Sequence, residues 1–270
     1  MVWVSNNIVM EQCSLSIRHL NLTNKTTQPK PTRALNEILI QSGVPTLITS
    51  VYKRLSNDIV KGHFEPNSRF SLAAISDYYG VSVGTIREAL SFLVADGLVI
   101  AAAQKGFYVA PLLLEDLQDL TRMRVLLDCD QLEQSLLHGS DSWESNLAQA
   151  FHSLNLIEER MNSEGSNKYF EEWEGRNKYF HDVLVSGYPV GAYRRRLANT
   201  LYRHGERYRR TTAQQKPKAI DRVRAEHKAL FEYAMERDIR NAKAVLKKHI
   251  EATLENYSAS QNASDSKTAP

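Results

Sequence analysis

Two short helical patterns separated by a tight corner constrain this chain more than any other feature of its sequence. The first pattern ends at Gly80, a residue that readily adopts the left-handed backbone of a sharp turn. Ser82 then provides an N-cap for a second helix. The expected buried faces consist of Ala74, Ile75 and Tyr78 in the first helix and of Ile86, Ala89, Leu90 and Leu93 in the second. The pattern predicts a helix-turn-helix over residues 72–91, whose second helix can enter the major groove of DNA.

Two β-rich runs follow the second helix at the spacing that a winged helix needs. Residues 98–102 and 107–110 are separated by Gln104, Lys105 and Gly106, which predicts a hairpin with these residues at its tip. We therefore expect a winged helix-turn-helix domain over residues 47–111, with the wing at 98–110. A helix-turn-helix alone also occurs as a packing element, but the added hairpin favours DNA binding.

Small and polar side chains surround the start of the second helix. Backbone amides at a helix N-terminus bind phosphate, and the guanidinium of Arg87 has the fork that recognises a guanine edge. Lys105 at the hairpin tip is placed for a backbone phosphate or the minor groove. The residues predicted to contact DNA are Ser71, Ser82, Gly84, Thr85, Arg87, Lys105 and Gly106.

The remainder of the chain is dominated by apolar residues at helical spacing, with few strand signals. Six amphipathic helices joined by short loops predict an all-α antiparallel bundle over residues 112–257. The predicted helices span residues 114–138, 141–162, 167–186, 190–211, 217–237 and 238–257. Small and polar residues fill both ends of the chain, so we expect a flexible arm over 1–46 and a disordered tail over 258–270. The fold class is thus mainly α, with two domains.

Charge and composition narrow the possible functions. The net charge is +3, and residues 47–111 carry six Lys and Arg against five Asp and Glu, so DNA binding has to depend on a few well-placed cations. No apolar run approaches the ~20 residues of a membrane span. Two cysteines are too few for a disulfide framework. We expect a cytoplasmic protein with no membrane partner.

Three histidines and one asparagine form a candidate metal site in the helical region. Asn177 and His181 are four residues apart and share a helix face. His227 and His249 lie on the last two predicted helices, each about 11 residues from the turn between them, so antiparallel packing brings them level. Three imidazoles and one oxygen suit Zn²⁺ or Ni²⁺ and leave a position for a ligand carboxylate. The alternative is that each histidine is an ordinary hydrogen-bonded residue.

Several motifs in this chain resemble GntR-type bacterial transcription regulators. The motifs are Ile59-Val-Lys-Gly-His-Phe-Glu-Pro-Asn, Tyr79-Gly-Val-Ser, Ile86-Arg-Glu-Ala-Leu, Ala95-Asp-Gly-Leu-Val and Gln104-Lys-Gly-Phe-Tyr-Val. Residues 112–257 resemble the helical ligand-binding domain of the FadR-like branch, often called FCD. The chain departs from the family pattern at Val83, where Arg is common, at Thr85, near which Pro is frequent, and at Asn177, where Asp is usual.

The resemblance implies a bacterial, homodimeric regulator that binds a double-stranded DNA operator and responds to a small carboxylic acid. It implies a divalent metal on Asn177, His181, His227 and His249. Arg124 matches an arginine that often faces the effector pocket. Asp128 lies four residues further along the same helix, and an exposed ion pair between the two is the alternative. Arg203 or Arg207 is a further candidate for reaching an anionic effector.

Two other functions compete with this interpretation. A metal-dependent enzyme would use the three histidines for catalysis, but the sequence has no H-E-x-x-H, P-loop or G-x-G-x-x-G motif. A ligand-free helical interaction module would keep the histidines for packing alone. We expect a regulator rather than an enzyme.

Overall fold

The structure of the protein is a computed structural model that describes residues 46–164, 166–189, 191–213 and 220–268. The predicted flexible arm lies, except for Thr46, outside these ranges. The chain from Leu47 onward forms one compact unit. None of the helices among the described residues is long and apolar enough to cross a membrane.

The N-terminal part is a winged helix-turn-helix. Its elements are α1 (Leu47–Val60), α2 (Leu72–Tyr79), α3 (Val83–Ala95), β1 (Val99–Ala102) and β2 (Gly106–Val109). The two strands pair antiparallel, from Val99 opposite Val109 to Ala102 opposite Gly106. A single bridge between Arg69 and Tyr108 adds a third extended segment to this wing.

The corner between α2 and α3 has the predicted chemistry. Gly80 adopts φ 66° after α2, and the Ser82 hydroxyl oxygen accepts a hydrogen bond from the Thr85 amide at 3.2 Å. The expected stripe of α3 is fully buried: Ile86, Ala89, Leu90 and Leu93 are each 0% exposed. These contacts fix the direction in which α3 leaves the corner.

The inner face of α2 differs from the prediction by a rotation of the helix. Ile75 is buried as expected, but Ala74 and Tyr78 are exposed. Tyr79 is buried instead and donates its hydroxyl to the Asp58 carboxylate in α1. Because Ile75 and Tyr79 are four residues apart, they define one face of the helix, and Tyr78 lies beside it.

The C-terminal part is the predicted all-α bundle. Its helices are α4 (Leu114–His138), α5 (Asp141–Glu164), α6 (Phe170–Leu184), α7 (Ala192–Ala213), α8 (Ile220–Met235) and α9 (Ile239–Thr268), with a 3₁₀ turn at Ser166–Tyr169. Helix α9 packs on α4 and α8, and α5 packs on α6. The core includes Leu132, Leu147, Leu154, Ile157 and Phe180, each of them 0% exposed.

The prediction of a disordered tail from residue 258 is wrong, because α9 continues to Thr268. Tyr257 is buried against Leu117 and Tyr208, and Ser260 one turn further on is also buried. The Ser260 hydroxyl donates to the Tyr257 carbonyl. Tertiary packing therefore holds the helix past the point where its composition becomes small and polar.

Helix α7 connects the bundle to the winged helix. Arg203 donates to the Ser56 hydroxyl in α1. The Nε2 atom of His204 lies 2.8 Å from the carbonyl oxygen of Asp96, just after α3. One polar helix therefore contacts both the first helix of the winged-helix domain and the turn that follows α3.

The segment between the two domains is held by its backbone carbonyl groups. Arg207 donates to the Ala110 carbonyl, and the hydroxyl of Tyr208 donates to Leu113 at 3.0 Å. The Tyr257 hydroxyl donates to the Leu112 carbonyl at 2.8 Å. We call residues 110–113 the carbonyl linker. It is anchored to α7 and α9 rather than free to swing.

Candidate functional site

The residues predicted to contact DNA lie around the start of α3 and the wing. Ser82, Gly84 and Arg87 are exposed, and Thr85 is half-buried beneath them. The Ser82 side chain is 3.0 Å from the Thr85 hydroxyl, so both hydroxyls help to cap the helix. The first turn of α3 thus presents small side chains and free space for a close approach to a sugar-phosphate backbone.

An open cleft separates α3 from the wing. We call it the wing cleft, and it includes the predicted residues Ser71, Arg87 and Gly106. Lys105 is exposed at the tip of the hairpin, beside the cleft rather than within its lining. Gly106 has φ 94°, which lets the hairpin turn tightly at this point.

Arg69 is a cation of the wing cleft that the sequence analysis missed. It is exposed and lines the cleft together with Arg87. Within the part of the chain that the structure describes, the guanidinium groups of Arg69 and Arg87 form no ion pair with an acidic side chain. The available signal was the position of Arg69 just before α2, but nothing local showed that its backbone would pair with Tyr108 in the wing.

The three predicted metal-ligating histidines meet inside the bundle. Their candidate ligand atoms all lie within 4.8 Å of one another. The ring centroids of His181 and His227 are 5.3 Å apart, and the centroid of His249 lies 5.0 and 4.8 Å from those two rings. Helices α6, α8 and α9 therefore each bring one imidazole to a common point.

Two glutamates set the orientation of two of these rings. The Nδ1 atom of His227 lies 2.6 Å from a carboxylate oxygen of Glu158, and that of His249 lies 2.9 Å from Glu226. A carboxylate bound to one ring nitrogen fixes the proton there and leaves the other nitrogen as a ligand. The Nε2 atom of His227 is buried and has no partner among the described residues.

Asn177 also offers an unpaired acceptor. Its side chain is 3% exposed, and its Nδ2 atom donates to the Tyr202 hydroxyl at 3.2 Å. Its Oδ1 atom is buried and, within the part of the chain that the structure describes, lacks a hydrogen-bond partner. Buried polar atoms are normally satisfied, so Asn177 Oδ1 and His227 Nε2 together fit a site that holds a cation.

The protonation states of the histidines also suit a metal. Burial lowers the pKa of His181 well below its usual range, and the neighbouring His249 and His227 add to this effect. Burial likewise lowers the pKa of His249 to about 4, despite the opposing effect of its hydrogen bond to the Glu226 carboxylate. Both imidazoles are therefore neutral near pH 7, which is the form that binds metal ions.

A cavity that several cationic and polar side chains help to line opens beside the histidines, and we call it the bundle cavity. Its lining includes Arg124, Asn177, His181, Tyr202, Arg209, Arg222 and His249. The guanidinium of Arg124 lies 3.2 Å from the Asp128 carboxylate and 5.5 Å from the centre of the Tyr202 ring. The i,i+4 ion pair with Asp128 that formed the alternative is therefore present, but it is sheltered rather than solvated, because Arg124 is only 8% exposed. Asp128 pairs with Arg124 but is not part of the cavity lining.

The structure corrects the effector-contacting role predicted for Arg203. Its guanidinium donates to Ser56 in the winged helix and takes no part in the cavity lining. Arg209 and Arg222, which the sequence analysis did not single out, are the further cations of the bundle cavity. The spacing of two residues could have indicated this for Arg209. It lies seven residues after Tyr202 and so shares its face of α7.

A winged helix joined to a helical bundle with a cation-lined cavity defines a ligand-responsive DNA-binding regulator. The chain matches the family model described as bacterial regulatory proteins, gntR family, over residues 47–109, and the FCD domain over residues 119–252. The chain belongs to the GntR family of bacterial regulatory proteins, and its C-terminal domain is an FCD domain.

Two curated relatives support this assignment. The chain is 39% identical over 213 residues to the "uncharacterized HTH-type transcriptional regulator BphR" of Paraburkholderia xenovorans (strain LB400), covering 79% of this chain and 86% of that protein. It is 29% identical over 209 residues to the HTH-type transcriptional repressor GlaR of Escherichia coli (strain K12), covering 75% of this chain and 93% of that one.

Solved structures share the fold at low sequence identity. The structure titled E. coli McbR/YncC has a TM-score of 0.66 at 15% identity and covers 81% of this chain and 100% of that chain. A transcriptional regulator GntR from Rhodococcus sp. RHA1 has a TM-score of 0.64 at 21% identity, with coverages of 78% and 97%.

The family and the named relatives settle the functional class. The protein is a DNA-binding transcriptional regulator with a C-terminal effector-binding domain, as the motifs predicted. The family and relative names indicate a transcriptional regulator rather than the metal-dependent enzyme.

Proposed function

We propose that this protein is a homodimeric repressor whose operator binding is modulated by a small carboxylic acid. In this proposal a divalent ion, Zn²⁺ or Ni²⁺, holds the acid in the bundle cavity. The observation that carries it is the meeting of three histidines beside a cavity, with Asn177 Oδ1 and His227 Nε2 left unpaired in the described chain. The relative GlaR is named a repressor, which supports the same sign of regulation.

On the DNA side, each subunit places α3 in the major groove of one half-site of a near-palindromic operator. The exposed first turn of α3, from Ser82 to Thr85, approaches the backbone, and Arg87 reaches a base edge. Arg69, which is paired with the wing through Tyr108, and Lys105, at the tip of the wing, bind phosphates. Because the operator is bacterial chromosomal DNA, the protein acts in the cytoplasm.

On the effector side, Asn177, His181, His227 and His249 hold the metal ion. A bound divalent ion supplies an electrophilic site for the carboxylate of the acid. Arg124 lines the same cavity and remains partly neutralised by Asp128. Its guanidinium is therefore available for a bidentate contact with an anionic group without leaving a bare charge in the bundle.

Helix α7 provides the physical connection between the two sites. Tyr202 and Arg209 on one face of this helix line the bundle cavity. Arg203 and His204 on another face contact the winged helix. A ligand that shifts or stiffens α7 thus changes the placement of α3, which alters the spacing of the two recognition helices in a dimer.

The test measures operator binding and metal content in the same preparations. We expect purified protein to contain about one divalent ion per subunit and to shift DNA from upstream of its own gene. A carboxylic acid that acts through the metal should weaken this shift in the wild type but not in His227→Ala. His152→Ala is the matched control, because His152 is exposed on α5 and its loss should change nothing. A metal-free protein whose ligand response survives His227→Ala would instead support structural histidines.

A further inference from the structure

Asn177 differs from the three histidines because the two ends of its amide have opposite chemistry. Its side chain ends in a carbonyl oxygen and an NH₂ group of almost equal size, and only the oxygen can bind a cation. The direction of the amide therefore decides whether Asn177 attracts or repels a metal ion. The contacts of Glu174 and Tyr202 bear on the orientation of the Asn177 amide.

The first of these contacts involves Glu174, which lies one turn before Asn177 on α6. Glu174 is 4% exposed, and its carboxylate forms an ion pair with Arg209. An ionised carboxylate accepts hydrogen bonds and cannot donate them. The Tyr202 hydroxyl lies 2.9 Å from a carboxylate oxygen of Glu174, so its single proton has to point toward that oxygen.

The same hydroxyl then acts on Asn177. With its proton directed at Glu174, the Tyr202 oxygen can only accept a hydrogen bond from its other neighbour. That neighbour is Asn177, whose Nδ2 atom lies 3.2 Å away. A flipped amide would bring two acceptor oxygens together and leave the NH₂ group without this partner.

The burial of Tyr202 and Asn177 strengthens the preference for this orientation of the amide. Tyr202 is 7% exposed and Asn177 is 3% exposed, so bulk water cannot easily compensate a wrong orientation. Asn177 also lines the cavity that His181 and His249 line. Its Oδ1 atom, which has no partner among the described residues, is the part of the amide left for a ligand.

We propose that Glu174 and Tyr202 are positioning residues that orient the Asn177 amide so that its Oδ1 atom serves as the fourth metal ligand. This inference rests on the proposed metal site and identifies how a neutral amide is made a directed ligand there. Glu174 and Tyr202 act through Asn177 and need not touch the ion.

A double-mutant cycle separates orientation from general packing. Tyr202→Phe removes the hydroxyl that directs the amide, whereas Asn177→Asp replaces the amide with a carboxylate whose two oxygens are equivalent. Orientation should matter only when residue 177 is an amide. We therefore expect Tyr202→Phe to lower metal affinity about 10-fold or more in the wild type, the usual effect of losing an outer-shell partner. In the Asn177→Asp background the same change should cost much less.

The affinities for Zn²⁺ and Ni²⁺ are measured on the full chain by competition with a chromophoric chelator. Tyr208→Phe is the matched control, because Tyr208 is a buried tyrosine on the same helix that donates to the Leu113 carbonyl. It should leave metal affinity unchanged. Visible spectra of the Co²⁺-loaded proteins report the ligand set independently, and we expect Tyr202→Phe to change the wild-type spectrum.

The outcomes distinguish this inference from the proposed function. Equal losses in both backgrounds, or no loss with Tyr202→Phe, would overturn the positioning role while leaving the metal site intact. A wild-type protein that binds neither Zn²⁺ nor Ni²⁺ would overturn both. If Tyr202→Phe does not fold, Asn177→Asp and Asn177→Leu still test whether Oδ1 is a ligand. Affinity should rise with Asp and fall with Leu, and equal affinities would refute the inference.

Discussion

The guanidinium of Arg207 donates a hydrogen bond to the carbonyl oxygen of Ala110 at 2.5 Å, which ties the C-terminal part of α7 to the residue where the wing ends. Arg207 is 6% exposed, so the contact is sheltered from water. The hydrogen bond joins the effector-binding domain to the DNA-binding domain through a backbone atom.

Replacing Arg207 with alanine should destabilise the protein. The change leaves the Ala110 carbonyl without its charged donor in a buried place, which typically costs about 1–3 kcal/mol. Chemical denaturation measures the free energy of unfolding directly. Arg196→Ala is the control, because Arg196 is exposed on the same helix and should change stability by no more than about 0.5 kcal/mol. Equal effects of the two variants would show that the linker contact is energetically unimportant.

Alanine at two glycines of the helix-turn-helix should change stability in opposite directions. Gly80 has φ 66° with open space around it, so Gly80→Ala incurs only the backbone cost, about 1–2 kcal/mol. Gly84 is helical, and an added Cβ would meet only the Ser82 hydroxyl at 3.6 Å. Gly84→Ala should therefore stabilise α3 by about 0.5–1 kcal/mol. Thermal unfolding of both variants checks the signs, and a stabilising Gly80→Ala would contradict the turn geometry.

Arg87 and Lys105 should affect DNA binding in different ways. Loss of a base contact at Arg87 should cost about 1–3 kcal/mol and relax discrimination at one base pair of each half-site. Loss of a phosphate contact at Lys105 should weaken all sequences alike and reduce the salt dependence by about one unit of slope. Fluorescence anisotropy with operator and scrambled DNA at several salt concentrations separates the two effects. Arg122→Ala, in an exposed ion pair of α4, is the control. Sequence-selective binding that survives Arg87→Ala would remove Arg87 from base recognition.

Stability should decrease in mildly acidic solution in part because of His204. Burial lowers the pKa of this histidine below its usual 6.5, with Arg207 and Arg203 adding to the effect against the opposing hydrogen bond to the Asp96 carbonyl. Protons therefore bind the unfolded chain more readily than the folded one below about pH 6.5, so the free energy of unfolding falls as the pH decreases through this range.

His204→Gln removes this titration while keeping a donor for the Asp96 carbonyl. Urea unfolding between pH 5 and 8 should show a shallower pH dependence for this variant than for the wild type. His152→Gln, a substitution at an exposed histidine of α5, is the comparison variant for the effect of replacing a histidine with glutamine. An identical slope for His204→Gln and the wild type would mean that His204 does not titrate differently on folding.

A divalent metal ion should stabilise the folded protein. At a free concentration 100 times its Kd, a ligand that binds only the folded state adds about 2.7 kcal/mol. We expect Zn²⁺ to raise Tm and a chelator to lower it again. The shift should disappear in His227→Ala and persist in His152→Ala. Differential scanning fluorimetry makes the comparison, and a Tm shift retained by His227→Ala would place the metal elsewhere.

The sequence was sufficient to predict elements that depend on local signals. The recognition helix α3 has the expected cap and buried stripe, and α4 spans the predicted residues 114–138. The three histidines also meet as the helix spacing indicated. The cap, the buried stripe and the helix bounds repeat signals that neighbouring residues alone determine, whereas the meeting of the histidines also needed the assumption that successive helices pack antiparallel.

Features that depend on the rotation of a helix were not predictable in the same way. Consecutive residues of a helix are separated by a rotation of 100°. An error of that size in the assumed buried face therefore decides whether Tyr78 or Tyr79 is expected to be buried. Helix α7 is polar on several faces, and its pattern does not show that Arg203 meets the winged helix while Arg209 meets the bundle cavity. The chain from Glu174 through Tyr202 to Asn177 joins two helices, and only tertiary packing brings them together.

The carbonyl linker has a consequence for exchanging domains between regulators. Ala110, Leu112 and Leu113 are held through their backbone oxygens, and every amino acid supplies such an oxygen. A foreign winged helix spliced onto this bundle at the linker would thus offer the same three acceptors, whatever its side chains. Such a chimera would still have to match side-chain contacts such as Ser56 with Arg203 and Lys61 with Glu171, and the packing of Leu112 on the cluster that includes Tyr208 and Tyr257.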